Sequence, residues 1–149
     1  MSNSLNSRLF DQNTFYDAFL RDLQRAKSRV IIESPFITGK RMSALLPALL
    51  RLRRHNVAVI INTKPFEEHE VRFREQAIDA VGLMQDMGIE VLMTGGHHRK
   101  LAIIDDNILY EGSLNILSQN ESCELMRRIN DSSAVKEMMA FTGLKKWCK

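Results

Sequence analysis

Two short polar clusters carry the side chains in this chain that are best suited to catalysis. His98 and Lys100 directly precede the apolar run LAII, and Ser113 and Asn115 follow the next apolar run, ILY. Because side chains alternate across a strand, residues two apart share a face. A hairpin between the two runs would bring both pairs to the same end of a sheet. The imidazole can act as a nucleophile or carry a proton, and the ammonium, carboxamide and hydroxyl groups can donate hydrogen bonds to an oxygen anion.

The segments that must position these residues alternate between helix and strand patterns. Phe15, Phe19 and Leu23 form one apolar stripe, which predicts a helix over residues 12–27. Two further helices are predicted at SALLPALLRLRRH, with Pro47 about one turn in, and at HEVRFREQAIDAVGLMQDM, which ends at Gly88. Strands are predicted at RVIIESPF, VAVIIN and IEVLM. This alternation is typical of an α/β fold with a largely parallel sheet.

The rhythm changes after Gly95 and Gly96. The runs KLAII and NILYEGS meet at the turn-type residues Asp105, Asp106 and Asn107, so they predict an antiparallel pair at the side of the sheet. CELMRRI predicts a further strand and AVKEMMAFTGLKKW a closing helix. We therefore expect a mixed sheet flanked by helices, in a single domain spanning residues 1–149.

Composition narrows the classes of function. The formal net charge of +3 permits a polyanionic partner without requiring one. Two cysteines are too few for a disulfide framework and predict free thiols in a reducing cytosol, hence a cytoplasmic protein. The amino terminus lacks the pattern of a secretory signal, and no apolar run is long enough to cross a bilayer, so we expect no membrane association.

The spacing of the polar clusters is that of a known motif. It comprises His98-x-Lys100-x4-Asp105, followed by Gly112-Ser113-x-Asn115. This resembles, at every defining position, the HKD motif of the phospholipase D superfamily, H-x-K-x4-D followed by G-S/G-x-N. The resemblance extends over most of the chain and implies a phospholipase D-like fold.

The resemblance also implies an acidic site residue downstream. We place it at Glu124, with Glu121 as a nearby alternative. The strand after Glu124 departs from the family pattern, because Arg127 and Arg128 stand where the family is usually more apolar. Asp105 points to the opposite strand face from the motif's other polar residues, and we expect it to have a structural role.

Phosphodiester chemistry through a covalent intermediate, without a metal ion or other cofactor, is what the resemblance implies. His98 would attack phosphorus and form a phosphohistidine. Lys100 and Asn115 would hold the non-bridging oxygens and stabilise the transition state. Ser113 would support the phosphate or the histidine, and Glu124 would hydrogen-bond the imidazole nitrogen that does not attack.

A single copy of the motif has a geometric consequence. In-line displacement places the attacking and leaving groups on opposite sides of phosphorus, so one histidine cannot serve both. His55 and His69 are not followed by the x-Lys element. A two-fold homodimer in which each subunit contributes one His98 supplies the second imidazole. The chain thus resembles the short single-motif nucleases of the superfamily.

Several alternatives remain open on sequence alone. An endonuclease acting on DNA or RNA is favoured by the basic balance and the short single motif. A phospholipid-cleaving or phosphatidyl-transferring enzyme is one alternative, and a non-catalytic nucleic-acid-binding module of a larger DNA-processing system is another. The protein could also work with a helicase or a target-recognition partner.

Other polar residues admit two interpretations each. Arg51, Arg53 and Arg54 form either a solvated helix end or a contact with a nucleic-acid backbone. His97, beside the motif histidine, faces the other way and is interpreted as a surface or packing residue. The dipeptides HH and DD suggest a metal site only weakly, because three convergent ligands are not evident. Ser34 and Phe36 end a predicted strand at the edge where ligands collect in open α/β sheets, although strand termination alone would explain them.

Overall fold

A computed structural model of the chain describes residues 6–119 and 121–148. The strands in chain order are β1 Ser7–Asp11, β2 Arg29–Glu33, β3 Ala58–Thr63, β4 Glu90–Met93, β5 Leu101–Ile104, β6 Ile108–Gly112 and β7 Leu125–Asn130. The α-helices are α1 Phe15–Arg25, α2 Gly39–Arg54, α3 Val71–Asp86 and α4 Ser132–Thr142. Short 3-10 helices lie at Phe66–Glu68 and Leu144–Trp147.

The strands form one mixed sheet in the order β1-β7-β6-β5-β2-β3-β4. β2, β3 and β4 are parallel, as expected for strands joined by crossover helices. β5 runs antiparallel to β2, and β6 antiparallel to β5. The predicted α/β fold with a mixed sheet is therefore confirmed, but the sheet is not largely parallel, because four of the six strand pairings in the described residues are antiparallel.

Each face of the sheet has its own apolar core. On one face, Phe15 and Phe19 of α1 stack with their centroids 5.0 Å apart, and Tyr110 of β6 meets both rings edge-on. On the other face, Val135 and Met139 of α4 pack in a cluster with apolar residues of β2, β5 and β6. Both faces are covered, which explains why β5 reads as a continuous apolar run.

Two sequence-based expectations about the helices and strands were wrong in detail. Pro47 lies in the interior of α2, because the helix begins at Gly39 and not shortly before the proline. β1 was not predicted; its sequence, SRLFD, is polar at both ends, and it forms an edge strand that pairs with β7 alone. Edge strands face solvent on one side, so they need less apolar patterning than central ones.

The departure at Arg128 is explained by an ion pair with a buried carboxylate. The Arg128 guanidinium donates two hydrogen bonds to Asp22 of α1, at 2.8 and 3.0 Å, and the Tyr110 hydroxyl donates a third to the same carboxylate. Burial and the adjacent Asp22 carboxylate raise the pKa of Tyr110. The arginine thus replaces an apolar contact with a charged tie between β7 and α1.

Candidate active site

The two halves of the motif meet at the edge of the sheet where β2 and β3 end. His98 and Lys100 lie in an extended segment immediately before β5, and Ser113 follows the last residue of β6. The Gly112 N–H donates a hydrogen bond to the carbonyl oxygen of Lys100 at 3.3 Å, next to the pairing of Leu101 with Glu111. The β5–β6 hairpin therefore brings the two polar clusters side by side.

His98 and Lys100 share one side of their segment. The Lys100 ammonium donates a hydrogen bond to the carbonyl oxygen of His98 at 2.8 Å, and its Nζ lies 3.4 Å from Nδ1 of the His98 ring. The His98 side chain is exposed. The imidazole can therefore meet a ligand from solvent with an ammonium group beside it.

His97 and Arg99, which alternate with His98 and Lys100 along the segment, anchor it from the opposite side. Arg99 forms a two-pronged ion pair with Glu33 at the end of β2, at 2.8 and 3.0 Å. Glu33 is fully buried and also accepts a hydrogen bond of 2.8 Å from Asn62 of β3. His97 is buried, and burial lowers its pKa although the Glu33 charge acts in the opposite direction. This buried network fixes the backbone on which His98 is presented, and sequence reasoning did not find it.

Gly112 and Ser113, in the second half of the motif, lie against the start of β7. A Cβ on Gly112 would lie only 2.1 Å from the carbonyl oxygen of Leu125, so β7 can approach this closely only beside a glycine. The Ser113 hydroxyl accepts a hydrogen bond from the Leu125 N–H at 3.0 Å, and the Ser113 N–H donates one to the Leu125 carbonyl at 2.9 Å. Ser113 therefore ties the end of β6 to the start of β7.

Glu124 lies beside this tie and faces the cations of the site. Hydrogen bonds from Ser113 and then from Ser122 lower the pKa of Glu124, and the charge of Lys100 adds to the effect. We expected a hydrogen bond between Glu124 and the His98 ring. In the part of the chain that the structure describes, no such bond is formed, and the carboxylate meets the two serines instead. Glu121, the alternative acidic residue, is exposed.

Lys64 is a cation of the site that sequence reasoning missed. It directly follows β3, at the carboxyl end of a parallel strand, and that position was a usable signal. Burial lowers the pKa of Lys100, the negative charge of Glu124 opposes this shift, and the positive charge of Lys64 adds to it. Two ammonium groups and one carboxylate therefore interact around the motif, and the two ammonium groups can donate hydrogen bonds to an anion.

Asn115 lies in the loop after β6 and is half-buried. Its Oδ1 is buried and has no hydrogen-bond partner among the described residues, so Nδ2 is the polar atom left to meet a ligand. The loop is held by two buried contacts from the segment after β2. Ser34 Oγ accepts a hydrogen bond from the Leu117 N–H at 3.1 Å, and Thr38 Oγ1 accepts one from the Gln119 N–H at 2.9 Å. Ser34 is thus a buried positioning residue and not part of an open pocket wall.

Asp105 lies at the far end of β5 from His98. One of its carboxylate oxygens accepts hydrogen bonds from the backbone N–H groups of Lys27, Ser28 and Arg29 and from the Ser28 hydroxyl, at 2.8–3.3 Å. Burial raises the pKa of Asp105, but these hydrogen bonds outweigh it and bring the pKa below its ordinary value. These contacts are of the structural kind that we expected for this residue.

The structure separates the arginine cluster from the motif. α2 ends at Arg54 and β3 begins at Ala58, whereas the motif residues lie where β3 ends. Six residues of strand span roughly 20 Å, so Arg51, Arg53 and Arg54 lie at the opposite edge of the sheet. The Arg53 guanidinium is also engaged with the backbone carbonyl oxygens of Met87 and Val57, at 3.2 and 2.8 Å.

Neither a metal cluster nor a membrane span is found. Within residues 6–119 and 121–148, no group of three or more histidine, cysteine, aspartate or glutamate side chains is placed to hold a metal ion. His97 and His98 point to opposite sides of their segment, and Asp105 lies at the other end of β5.

None of the helices in the described part of the chain is both long and apolar enough to cross a bilayer.

Comparison with known proteins identifies the family. The family described as "Cardiolipin synthase, PLD-like domain" matches residues 19–143. Among curated proteins, none matches the chain significantly. This match covers most of the chain and agrees with the resemblance found in the sequence motif. The chain belongs to the phospholipase D superfamily.

Solved structures share the fold at low sequence identity. The phospholipase D family member Nuc from Salmonella typhimurium superposes with a TM-score of 0.72 at 17% identity, over 91% of this chain and 90% of that one. NucT from Helicobacter pylori gives a TM-score of 0.70 at 20% identity, over 91% of both chains. TrmBL2, an archaeal chromatin protein described as showing a novel mode of DNA binding, gives 0.65 at 12% identity, over 95% of this chain and 52% of that one. At these identities the likeness shows the fold alone.

Proposed function

We propose that this member of the phospholipase D superfamily is a metal-independent endonuclease that cleaves nucleic acid through a phosphohistidine on His98. The observation that carries the proposal is the exposed His98 imidazole with the Lys100 ammonium 3.4 Å from its Nδ1, in a complete HKD motif. A neutral imidazole can approach a phosphodiester anion that would repel a carboxylate or an alkoxide. The two ammonium groups and the Asn115 amide supply donors for its oxygens.

The reaction divides into two displacements at phosphorus. In the first, an imidazole nitrogen of His98 forms a bond to phosphorus, the bond to the leaving oxygen breaks, and that oxygen takes a proton from a general acid. In the second, water gives a proton to the same group, now a base, and its oxygen displaces His98. The products are an alcohol and a phosphomonoester, and His98 is regenerated. Lys100 and Asn115 hold the non-bridging oxygens throughout.

Ser113 and Glu124 act on the site through their neighbours. Ser113 fixes the junction between β6 and β7 from which Glu124 extends. The negative charge of Glu124 favours the protonated form of Lys100, against the effect of burial. In this mechanism Glu124 can also orient the His98 ring when a ligand displaces its present serine partners.

The general acid is His98 of the partner subunit in a two-fold homodimer. The in-line geometry requires a second proton-carrying group across the phosphate, and the chain has only one H-x-K element. An isologous contact would place two copies of His98 near the axis. Such a contact should bury at least about 1,000 Å² in total to persist in dilute solution. The turn at Gly95 and Gly96 borders the site, and so does Phe36, the residue of the Ser34–Phe36 segment that is not fully buried, so we expect these residues at the interface.

Nucleic acid is the favoured substrate for two reasons. The chain carries a net charge of +3, and its fold is shared with Nuc, NucT and the DNA-binding TrmBL2. The matching family is described as cardiolipin synthase, so a phospholipid-cleaving or phosphatidyl-transferring enzyme is the second candidate. A non-catalytic DNA-binding role is disfavoured, because a module without catalysis has no need of an intact His98 and Lys100.

The test is direct. The protein is incubated in excess EDTA with labelled DNA, labelled RNA and phospholipid vesicles, beside the His98→Ala variant. We expect cleavage of an oligonucleotide by the wild type alone, and a phosphohistidine that can be trapped by acid-free quenching. If the protein hydrolysed phospholipid or transferred a phosphatidyl group, and cleaved neither DNA nor RNA, the substrate would be lipid. Binding of DNA without any cleavage would favour the non-catalytic role.

A further inference from the structure

A cleft opens beside the motif and shares Asn115 with it, and its other lining residues have no role in the mechanism described above. We name it the Asn115 cleft; among its lining residues are Phe36, His69, Arg72, Phe73, Asn115 and Gln119. Its volume is about 420 Å³, within the range of roughly 300–1,000 Å³ that small-ligand sites occupy. It lies between the segment after β2, the first turn of α3 and the loop after β6.

The walls of the Asn115 cleft combine aromatic rings with fixed polar groups. The Phe36 ring meets the His69 ring edge-on at a centroid distance of 5.9 Å. His69 Nε2 lies 3.1 Å from the Lys64 carbonyl oxygen; since a carbonyl only accepts, Nε2 carries the hydrogen. Burial lowers the pKa of His69, which keeps the ring neutral near pH 7. This wall is therefore an aromatic corner in which the His69 ring is neutral and the Lys64 ammonium lies over the Phe36 ring.

Phe73 also lines the Asn115 cleft and is half-buried. The Arg72 guanidinium lies over the Phe73 ring, 4.6 Å from its centroid. Arg72 also pairs with Glu70 at 3.1 Å, but both side chains are well exposed. Exposed ion pairs of this kind contribute little, so Arg72 can give up its place on the ring to a flat ligand or stack on the ligand's other face.

Two contacts connect the Asn115 cleft to the catalytic motif. Asn115 belongs to both, because it is a motif residue and also lines the cleft. Lys64 lies with its Nζ 4.8 Å from the Phe36 centroid and also interacts with the charge of Lys100. A group bound in the cleft is therefore next to a phosphate held by Lys100 and Asn115.

We propose that the Asn115 cleft binds the base of the nucleotide adjoining the scissile phosphate, and that the substrate is single-stranded nucleic acid. This rests on the proposed nuclease function. Flat rings stack on Phe36 and Phe73 in a sequence-tolerant way, and Gln119 can hydrogen-bond a base edge. The charged Arg72 and Glu70 make the cleft unsuited to an acyl chain. A base inside a duplex is paired and stacked, and it would have to be extruded to enter.

The experiment separates binding from turnover. Its protein is the full chain carrying His98→Ala, and its ligands are a fluorescent 20-nucleotide single strand, the same sequence as a duplex, and an equally long strand of abasic spacers. Dissociation constants are measured by anisotropy with and without Phe73→Ala. Phe73→Leu serves as a second variant, since it keeps apolar bulk and removes only the flat ring. Phe141→Ala is the control, because Phe141 is 88% exposed on α4.

We expect the abasic strand and the duplex to bind at least about 10-fold more weakly than the single strand, the scale of one lost base–aromatic stack. Phe73→Ala should weaken binding of the single strand by about 10-fold to 100-fold and leave the abasic strand unchanged. Phe73→Leu should give a smaller loss of the same kind, and Phe141→Ala none.

Equal binding of single strand and abasic strand, or equal losses on both in Phe73→Ala, would overturn the base-binding role of the cleft. So would a duplex that binds as well as the single strand. Weaker binding of phosphatidylglycerol vesicles by Phe73→Ala, with no effect on the oligonucleotide, would assign the cleft to lipid instead. The proposed nuclease function can fail while the base-binding role stands. This would be the result if the wild-type protein cleaved none of the three ligands and the binding differences were still observed.

Discussion

Asp105 offers the sharpest test of how the motif divides between chemistry and structure. Its backbone has a φ of +54°, a region that aspartate and asparagine tolerate and alanine does not. Oδ1 is the oxygen that accepts the hydrogen bonds from Ser28 N–H at 2.8 Å and from the Ser28 hydroxyl at 2.9 Å, while Oδ2 makes only one contact, of 3.2 Å with the Lys27 N–H. Asparagine keeps Oδ1 and the backbone conformation. Alanine keeps neither.

The expected losses follow from this difference. A hydrogen bond to a charged group contributes about 1.5–3 kcal/mol. We use the low end of this range, about 3 kcal/mol for the two short bonds, because water can reach the Ser28 donors once the carboxylate is removed. The left-handed backbone adds about 1 kcal/mol for alanine. We therefore expect Asp105→Ala to lower the free energy of unfolding by about 3–4 kcal/mol and Asp105→Asn by about 1 kcal/mol. For a chain of this length the alanine loss corresponds to roughly 6–16 °C in Tm.

The effect should also depend on pH with a definite sign. The folded-state pKa of Asp105 lies below its ordinary value of 3.8, so the ionised carboxylate stabilises the fold. That stabilisation is fully present above pH 3.8 and is lost as the pH falls through the lower folded-state pKa. The difference in unfolding free energy between wild type and Asp105→Asn should therefore be constant near neutral pH and should disappear in acid.

The assay is urea unfolding of wild type, Asp105→Asn and Asp105→Ala at several pH values, paired with cleavage rates measured well below the midpoint. Rates per folded molecule should stay within a few-fold of wild type. An Asp105→Asn variant of normal stability that had lost turnover would refute the structural role and place Asp105 in the chemistry. Equal losses for asparagine and alanine would refute the assignment of the effect to Oδ1 and the backbone.

The remaining predictions concern the nucleophile, metal, assembly and the ion pair of Asp22 with Arg128. His98→Ala should reduce turnover by on the order of 10⁴-fold or more, with the urea midpoint unchanged because the side chain is exposed; normal turnover in this variant would reject the covalent route. Cleavage should persist in excess EDTA, and its loss with recovery on adding magnesium would contradict the mechanism. Sedimentation should show a dimer, and mixed dimers of wild type and His98→Ala should be inactive or stall at the phosphohistidine; a fully active monomer would rule out the shared site. Asp22→Ala should lower the free energy of unfolding by about 3 kcal/mol, because it leaves the half-buried Arg128 and the buried Tyr110 hydroxyl without their acceptor. Calorimetry of the double variant Asp22→Ala, Arg128→Met should show the part of that loss recovered that comes from the unpaired charge.

The amino-acid sequence by itself determined the features that depend on neighbouring residues. Strand alternation predicts that His98 and Lys100 share a side, and in the fold the Lys100 ammonium contacts the His98 carbonyl. The hairpin that joins the motif's two halves was predicted from two apolar runs and the turn residues between them. The α/β fold followed from the same local periodicities, and the family description of residues 19–143 agrees with it.

The tertiary structure decided every feature that joins distant parts of the chain. Asp22 and Arg128 pair across 106 residues, and Glu33 and Arg99 across 66. Glu124 contacts Ser113, 11 residues away along the chain, because the pairing of β6 with β7 brings the two together, and its expected contact with the His98 ring stays a prediction. Lys64 joins the site only because β3 ends beside β2. Periodicity reports which face a residue occupies, whereas packing alone determines which side chains meet there.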